Sequence, residues 1–257
     1  MSRFRSSRRL LGRTLLLSSS VPDPERDERF FQIPDAAFQI EQAVVSLARA
    51  VFAAGGRLAF GGHPSISPLV ALVAGEYRSA TYAESLKERA PPQVTIYQSE
   101  VFREWIPQDT DLLIRLGLAE EHWVPAAVGE AYKPGAGSAH RQCPKSLLAM
   151  RARMIEETAP TAMVCIGGME GVIAEAAMFA CHGPVFALAR TGGAAFVLAQ
   201  EEKAVAIDRQ VIRDAGLAED DAKARDGDEV EVFPYPLIMQ TIVDRIAPPS
   251  EWEHHHE

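Results

Sequence analysis

The 257-residue chain has no apolar run near the roughly 18 residues that a spanning helix needs, so no such helix is expected and the protein reads as soluble and cytoplasmic. Cysteine is scarce. Cys143, Cys165 and Cys181 are odd in number and lack paired metal-ligand spacing, which argues against a disulfide framework or a zinc module. They read as reduced core thiols.

Positive charge is also thin. Lys and Arg total 26 against 35 Asp and Glu, for a net charge of −9. Arg3, Arg5, Arg8, Arg9 and Arg13 all precede the first acidic residue, Asp23, so the rest of the chain is more acidic than the total implies. Such a body repels nucleic acid. The stretch Ser7-Arg-Arg-Leu-Leu-Gly-Arg13 looks like a twin-arginine export signal. However, Thr14-Leu-Leu-Leu17 runs straight into Ser18-Ser-Ser20, with no long apolar stretch or cleavage site. Residues 1–13 therefore read as a flexible basic arm.

Two fingerprints are missing. No Gly-x-Gly-x-x-Gly follows a strand, and no Walker lysine follows the glycines, so neither a dinucleotide dehydrogenase nor a P-loop ATPase is indicated. No internal repeat is evident. The histidines of Trp252-Glu-His-His-His-Glu257 sit on a tail without the rigid surround that orients metal ligands, so neither metal nor cofactor is expected. Residues 248–257 read as a disordered tail.

What is present is an alternation of short apolar runs with amphipathic stretches, the pattern of β-α units around a mostly parallel sheet. Strands are expected at 14–17, 57–60, 94–97, 162–166 and 184–188. Helices are expected at 36–54, from Ser67-Pro68 to about Glu76, at 145–157, 170–181, from Gly193 to about Glu202, and at 236–246. Residues 99–137 show no clean period and read as partly helical, and residues 219–231 form an acidic stretch. The expectation is one α/β domain over 14–247, doubly wound and Rossmann-like.

In such a sheet, ligands bind beyond the carboxyl ends of the strands, where helix N-termini present free amide donors. Four turns stand out. The hydroxyls of Ser18, Ser19 and Ser20 can hold phosphate or ribose oxygens, or simply form a solvated turn. Gly61-Gly-His-Pro-Ser65 joins Gly61 and Gly62, which permit close backbone approach, to the imidazole of His63 and the hydroxyl of Ser65. Gly167, Gly168, Met169, Glu170 and Gly171 lie between a buried strand and a helix, so their amides can surround a phosphate. Glu175 projects from the following turns; it serves a ligand's sugar, or is a helix-start acid favoured by the dipole. Thr191, Gly192 and Gly193 repeat the arrangement after the next strand. Arg151 and Arg153, on the preceding helix, are candidates for bidentate contact with phosphate oxygens.

The segment Ile166-Gly-Gly-Met-Glu-Gly-Val-Ile-Ala-Glu175 resembles the Pro-Gly-Gly-x-Gly-Thr-x-x-Glu motif of the LOG phosphoribohydrolases, with one residue inserted. Gly167, Gly168, Gly171 and Glu175 match, whereas Ile166 and Val172 replace the proline and threonine. Met150-Arg-Ala-Arg-Met154 is similar to the arginine-bearing helix that precedes that motif. The chain thus resembles the SLOG superfamily, relatives of the LOG enzymes and DprA proteins, over most of residues 14–200. Phe60-Gly-Gly-His-Pro-Ser-Ile-Ser-Pro68 and Phe186-Ala-Leu-Ala-Arg-Thr-Gly-Gly193 look like its branch linked to bacterial defence systems.

The resemblance implies a sensor for a nucleotide-derived small molecule, such as a nucleoside phosphate or an ADP-ribose form, in a homo-oligomer. A second implication is an N-glycoside hydrolase with Glu175, Arg151 and Arg153 in catalytic roles. A third reading, a structural adaptor, makes the glycine turns mere corners.

Overall fold

The computed structural model describes residues 8–82, 93–216 and 233–247. Among these residues, seven parallel strands form one sheet: β1 (Thr14–Ser20), β2 (Arg57–Gly61), β3 (Val94–Ser99), β4 (Glu120–Val124), β5 (Ala162–Gly167), β6 (Val185–Leu188) and β7 (Val205–Ala206). Their order is β4-β3-β2-β1-β5-β6-β7. The chain therefore winds outward from β1 in one direction, then returns and winds outward from β5 in the other. The Rossmann-like α/β expectation holds.

Residue alternation on the strands explains the two-faced core. Leu15 and Leu17 of β1 and Val164 and Ile166 of β5 point to one face, while Leu16, Met163 and Cys165 point to the other. The first face is covered by α1 (Ala36–Ala53) and α2 (Ser67–Tyr82). In α1, Ile40, Ala43, Val44, Leu47, Ala48 and Val51 are buried at helical spacing. The second face is covered by α5 (Pro144–Thr158), α6 (Glu170–Phe179) and α7 (Gly193–Gln200). Two short helices, α3 (Gln108–Arg115) and α4 (Ala139–Gln142), precede α5. After β7, α8 (Ile207–Asp214) and α9 (Tyr235–Ile246) return to the first face. Among the described residues, no helix is long and apolar enough to cross a membrane.

Several boundaries differ from expectation, each for a physical reason. β1 continues through Ser18, Ser19 and Ser20, because they pair in register with Cys165, Ile166 and Gly167 of β5; ladder hydrogen bonding overrides turn propensity. β4 had no apolar run to reveal it, since Glu120, Glu121 and His122 occupy a solvated sheet edge. β7 and α8 were also unforeseen, the strand being only two residues long.

Residues 8–13, read as part of a free arm, pack onto the domain. Leu10 is buried, its amide donating to the Ala54 carbonyl at 2.9 Å. Arg13 donates to the Ile246 carbonyl at 2.7 Å, and Arg9 pairs with Asp244 at 2.6 Å, so both neutralise the carboxyl end of α9. Cys143 and Cys165 are buried as expected, whereas Cys181 is exposed. Arg3, Arg5, the acidic stretch and the tail lie outside the described residues.

The corner after β6 fixes the corner after β5. Gly193 adopts φ +63°, and a Cβ there would lie 2.5 Å from the Gly168 carbonyl oxygen. Ala194 N–H donates to that same oxygen at 2.8 Å. Gly193→Ala is expected to cost on the order of 2–4 kcal/mol, combining left-handed strain with a backbone clash. Gly216→Ala, with φ +69° but open space around it, is expected to cost only about 1 kcal/mol. Urea unfolding of the two variants checks the difference.

Candidate functional site

The loops after β1 and β5 lead to helices on opposite faces, α1 and α6, so a crevice must open between them at the carboxyl edge. A cleft of about 860 Å³ lies there, spreading across the ends of β1, β2 and β3.

Its floor carries one polar cluster. Glu175, Arg151 and Ser18 are all buried. Glu175 accepts a hydrogen bond from Ser18 Oγ on one carboxylate oxygen and from Arg151 Nε, at 3.2 Å, on the other. Three elements supply these groups: β1, α5 and α6. The helical spacing of α5 explains the choice of arginine. Leu147, Met150, Arg151, Met154 and Ile155 form its inward face, whereas Arg153 lies about 200° round the helix from Arg151. Arg153 bonds Glu157 at 2.6 Å on an exposed surface and does not line the cleft. Gly171 leaves room for this arrangement, since a Cβ there would lie 3.0 Å from an Arg151 guanidinium nitrogen and the guanidinium would have to give way.

The glycine segment divides in two. The amide of Gly167 donates to Thr191 Oγ1 at 2.7 Å, and that of Gly168 to the Ser20 carbonyl at 2.7 Å. The next corner is consumed in the same way: Gly192 N–H bonds Ala189, Gly193 N–H bonds Gln32 Oε1 at 2.6 Å, and Arg190 N–H bonds the buried Asp208. Thr191, Gly192 and Gly193 thus buttress the β5 corner from behind, and neither they nor Gly167 and Gly168 line the cleft. Met169, Glu170 and Gly171 do line it, and their amides have no acceptor among the described residues. Those three donors open the N-terminus of α6. Val172, in place of a hydroxyl residue, packs against Gly168 and joins the core.

Gly61 and Gly62 also line the cleft, and side chains pack close against both. A Cβ on Gly61 would lie 3.2 Å from Met150 Cε, and one on Gly62 would overlap the Gln98 amide, which donates to the Gly62 carbonyl at 3.0 Å. His63 is half-buried on the cleft wall. Burial, then the charge of Arg26, pulls its pKa down to about 4, so its ring is neutral near pH 7. Its Nδ1 accepts from Ser65 N–H at 3.4 Å and meets Ser65 Oγ at 3.0 Å. Ser65 is exposed and outside the cleft, and it contacts the imidazole instead. Ser19 and Ser20 line the cleft beside Ser18; Ser19 Oγ is shielded from water without a partner among the described residues.

Sequence reasoning missed Arg26, Phe102, Trp105 and Tyr132, all of which face the cleft from irregular or 3-10 segments. Only their position in the fold reveals them. Among the described residues, no group of three or more His, Cys, Asp or Glu side chains could hold a metal ion.

A model of the SLOG cluster3 family matches residues 29–122 and 137–216. The chain belongs to that family. The SLOG match includes Arg151, the glycine corner and Glu175, while β1 with its serines lies before it. The membership supports a nucleotide-related ligand-binding or LOG-like domain as the general class of this SLOG chain. No curated protein and no solved structure matches it.

Arg151→Ala is expected to destabilise the fold by roughly 3–5 kcal/mol, because it strands the Glu175 carboxylate in the interior. Arg153→Ala is expected to change stability little, and urea unfolding compares the two. For His63, the folded form binds the proton less readily than the unfolded chain, whose pKa lies near 6.5. The unfolded chain therefore carries more protons between pH 6.5 and about 4, and stability falls as pH falls through that window. His63→Asn is expected to flatten this part of the stability-against-pH curve.

Proposed function

We propose that the cleft binds a nucleotide-derived small molecule as a sensor, with a phosphate on the amides of Met169, Glu170 and Gly171 and the sugar beside Glu175. The observation that carries this reading is the pairing of those three unengaged amides with the Ser18–Glu175–Arg151 cluster at the point where the winding reverses. A helix N-terminus accepts an anion without a specific basic side chain. That matters here, because the cleft lining holds Asp23, Glu25, Glu170 and Glu175 against Arg26 and Arg151.

With Ser18 and Arg151 fixing both carboxylate oxygens, Glu175 is oriented in advance to accept from ribose hydroxyls. Ser19 and Ser20, which also line the cleft, would extend the hydroxyl surface. Binding at this corner would engage β1, α5 and α6 together, tying the central strand to the helices that cover one face of the sheet.

The same arrangement favours a second reading. A carboxylate beside a phosphate cradle suits hydrolysis of an N-glycosidic bond, in which water adds its hydroxyl to the anomeric carbon and its proton to the departing base. Glu175 would stabilise the cationic sugar or activate the water, and Arg151 would hold Glu175 in place.

The test incubates the protein with nucleoside 5′-monophosphates, NAD and ADP-ribose, following released base by chromatography and binding by calorimetry. The sensor reading predicts saturable binding without base release, weakened by Glu175→Ala about 10- to 100-fold, the range for losing a hydrogen bond to a charged group. Base release abolished by Glu175→Gln would establish the hydrolase instead. Neither binding nor turnover across the panel would sink both.

A further inference from the structure

Beyond the anion corner, the cleft has a wall of different chemistry. Phe102 and Trp105 come from the 3-10 helix Glu100–Trp105 that follows β3, and Tyr132 from the loop after β4. The Phe102 and Tyr132 rings meet edge to face with centroids 5.0 Å apart, and Trp105 meets Tyr132 at 6.4 Å. All three face the cleft, and Trp105 is 49% exposed. Two separate segments thus bring three aromatic rings together and leave the largest open to solvent, where burial of its face would be favourable.

The position of the wall gives it a meaning. The carboxyl ends of β3 and β1 are two strand steps apart, roughly 10 Å at the usual spacing. Between them the end of β2 presents Gly61 and Gly62, which put no side chain across the path. His140 also lines the cleft, its Nδ1 shielded from water and without a hydrogen-bond partner among the described residues. A ligand anchored by its phosphate and sugar at Glu175 can therefore extend along the floor until a planar group reaches the aromatic rings.

Resting on the function proposed above, we infer that the Phe102–Trp105–Tyr132 wall is the stacking surface for the heteroaromatic base of the ligand. Stacking on aromatic side chains tolerates any base, because every base presents a π-face. The wall therefore adds affinity for nucleotides over sugar phosphates without itself choosing among bases.

The experiment compares ribose 5-phosphate, AMP and CMP by calorimetry on the wild-type chain, Trp105→Ala and Tyr132→Leu, with circular dichroism confirming that the variants fold. AMP and CMP are each expected to bind at least about tenfold more tightly than ribose 5-phosphate. Trp105→Ala is expected to remove that advantage while leaving ribose 5-phosphate affinity unchanged, and Tyr132→Leu to reduce it. Nucleotides should also quench tryptophan fluorescence in the wild type, and less so in Trp105→Phe. Equal wild-type affinities for the three compounds, or a nucleotide advantage that survives Trp105→Ala, would overturn the stacking wall and leave the anion corner standing. Failure of all three compounds to bind would overturn the wall together with the function beneath it.

Discussion

A carboxylate drawn into a protein interior is tolerated only when its oxygens are engaged, and Glu175 meets this condition through groups that no single element could supply. Ser18 arrives at the end of β1, Arg151 from the inward face of α5, and Glu175 from the second turn of α6. Satisfying the one carboxylate therefore joins the two halves of the sheet across the line where the winding reverses. Small residues make room for it. Gly171 admits the guanidinium, and Gly61 lets Met150 of α5 approach β2.

The glycine corners divide their labour around this cluster. The amides of Gly167 and Gly168 hold the end of β5 to Thr191 and to β1, and Gly193 holds the following corner to Gln32. These bonds fix the position of the next three amides, at Met169, Glu170 and Gly171, which have no acceptor among the described residues. A rigid corner followed by open donors is what anion recognition demands, since preorganised amides need not be rearranged when a ligand arrives. Val172 reinforces the corner from within by packing on Gly168.

Much of this was legible in the sequence because it was local. The apolar run Ala162-Met-Val-Cys-Ile166, the glycines behind it and the acidic residue one turn further read as strand, corner and helix, and they are so. The fold class followed from the same alternation. What was not legible depended on partners distant in the chain. Nothing near Arg153 distinguished it from Arg151 until the inward face of α5 was known. Gly192 and Gly193 looked like a second cradle, yet their donors are spent on residues far away in sequence or behind the corner. The serines of β1 looked like a turn because their ladder partners lie 147 positions later, as Ser18 pairs with Cys165. The aromatic wall is assembled from a 3-10 helix and a loop, neither of which carries a periodic apolar signal.

The carboxyl-edge corner of β5 and α6 is proposed to receive a phosphate while Glu175 faces the attached sugar. A crystal structure of the protein soaked with ribose 5-phosphate addresses it directly. Phosphate oxygens within hydrogen-bonding distance of the Met169, Glu170 and Gly171 amides, with a ribose hydroxyl on Glu175, are the expected result. A sugar phosphate bound elsewhere, with this corner left to water, would contradict the account.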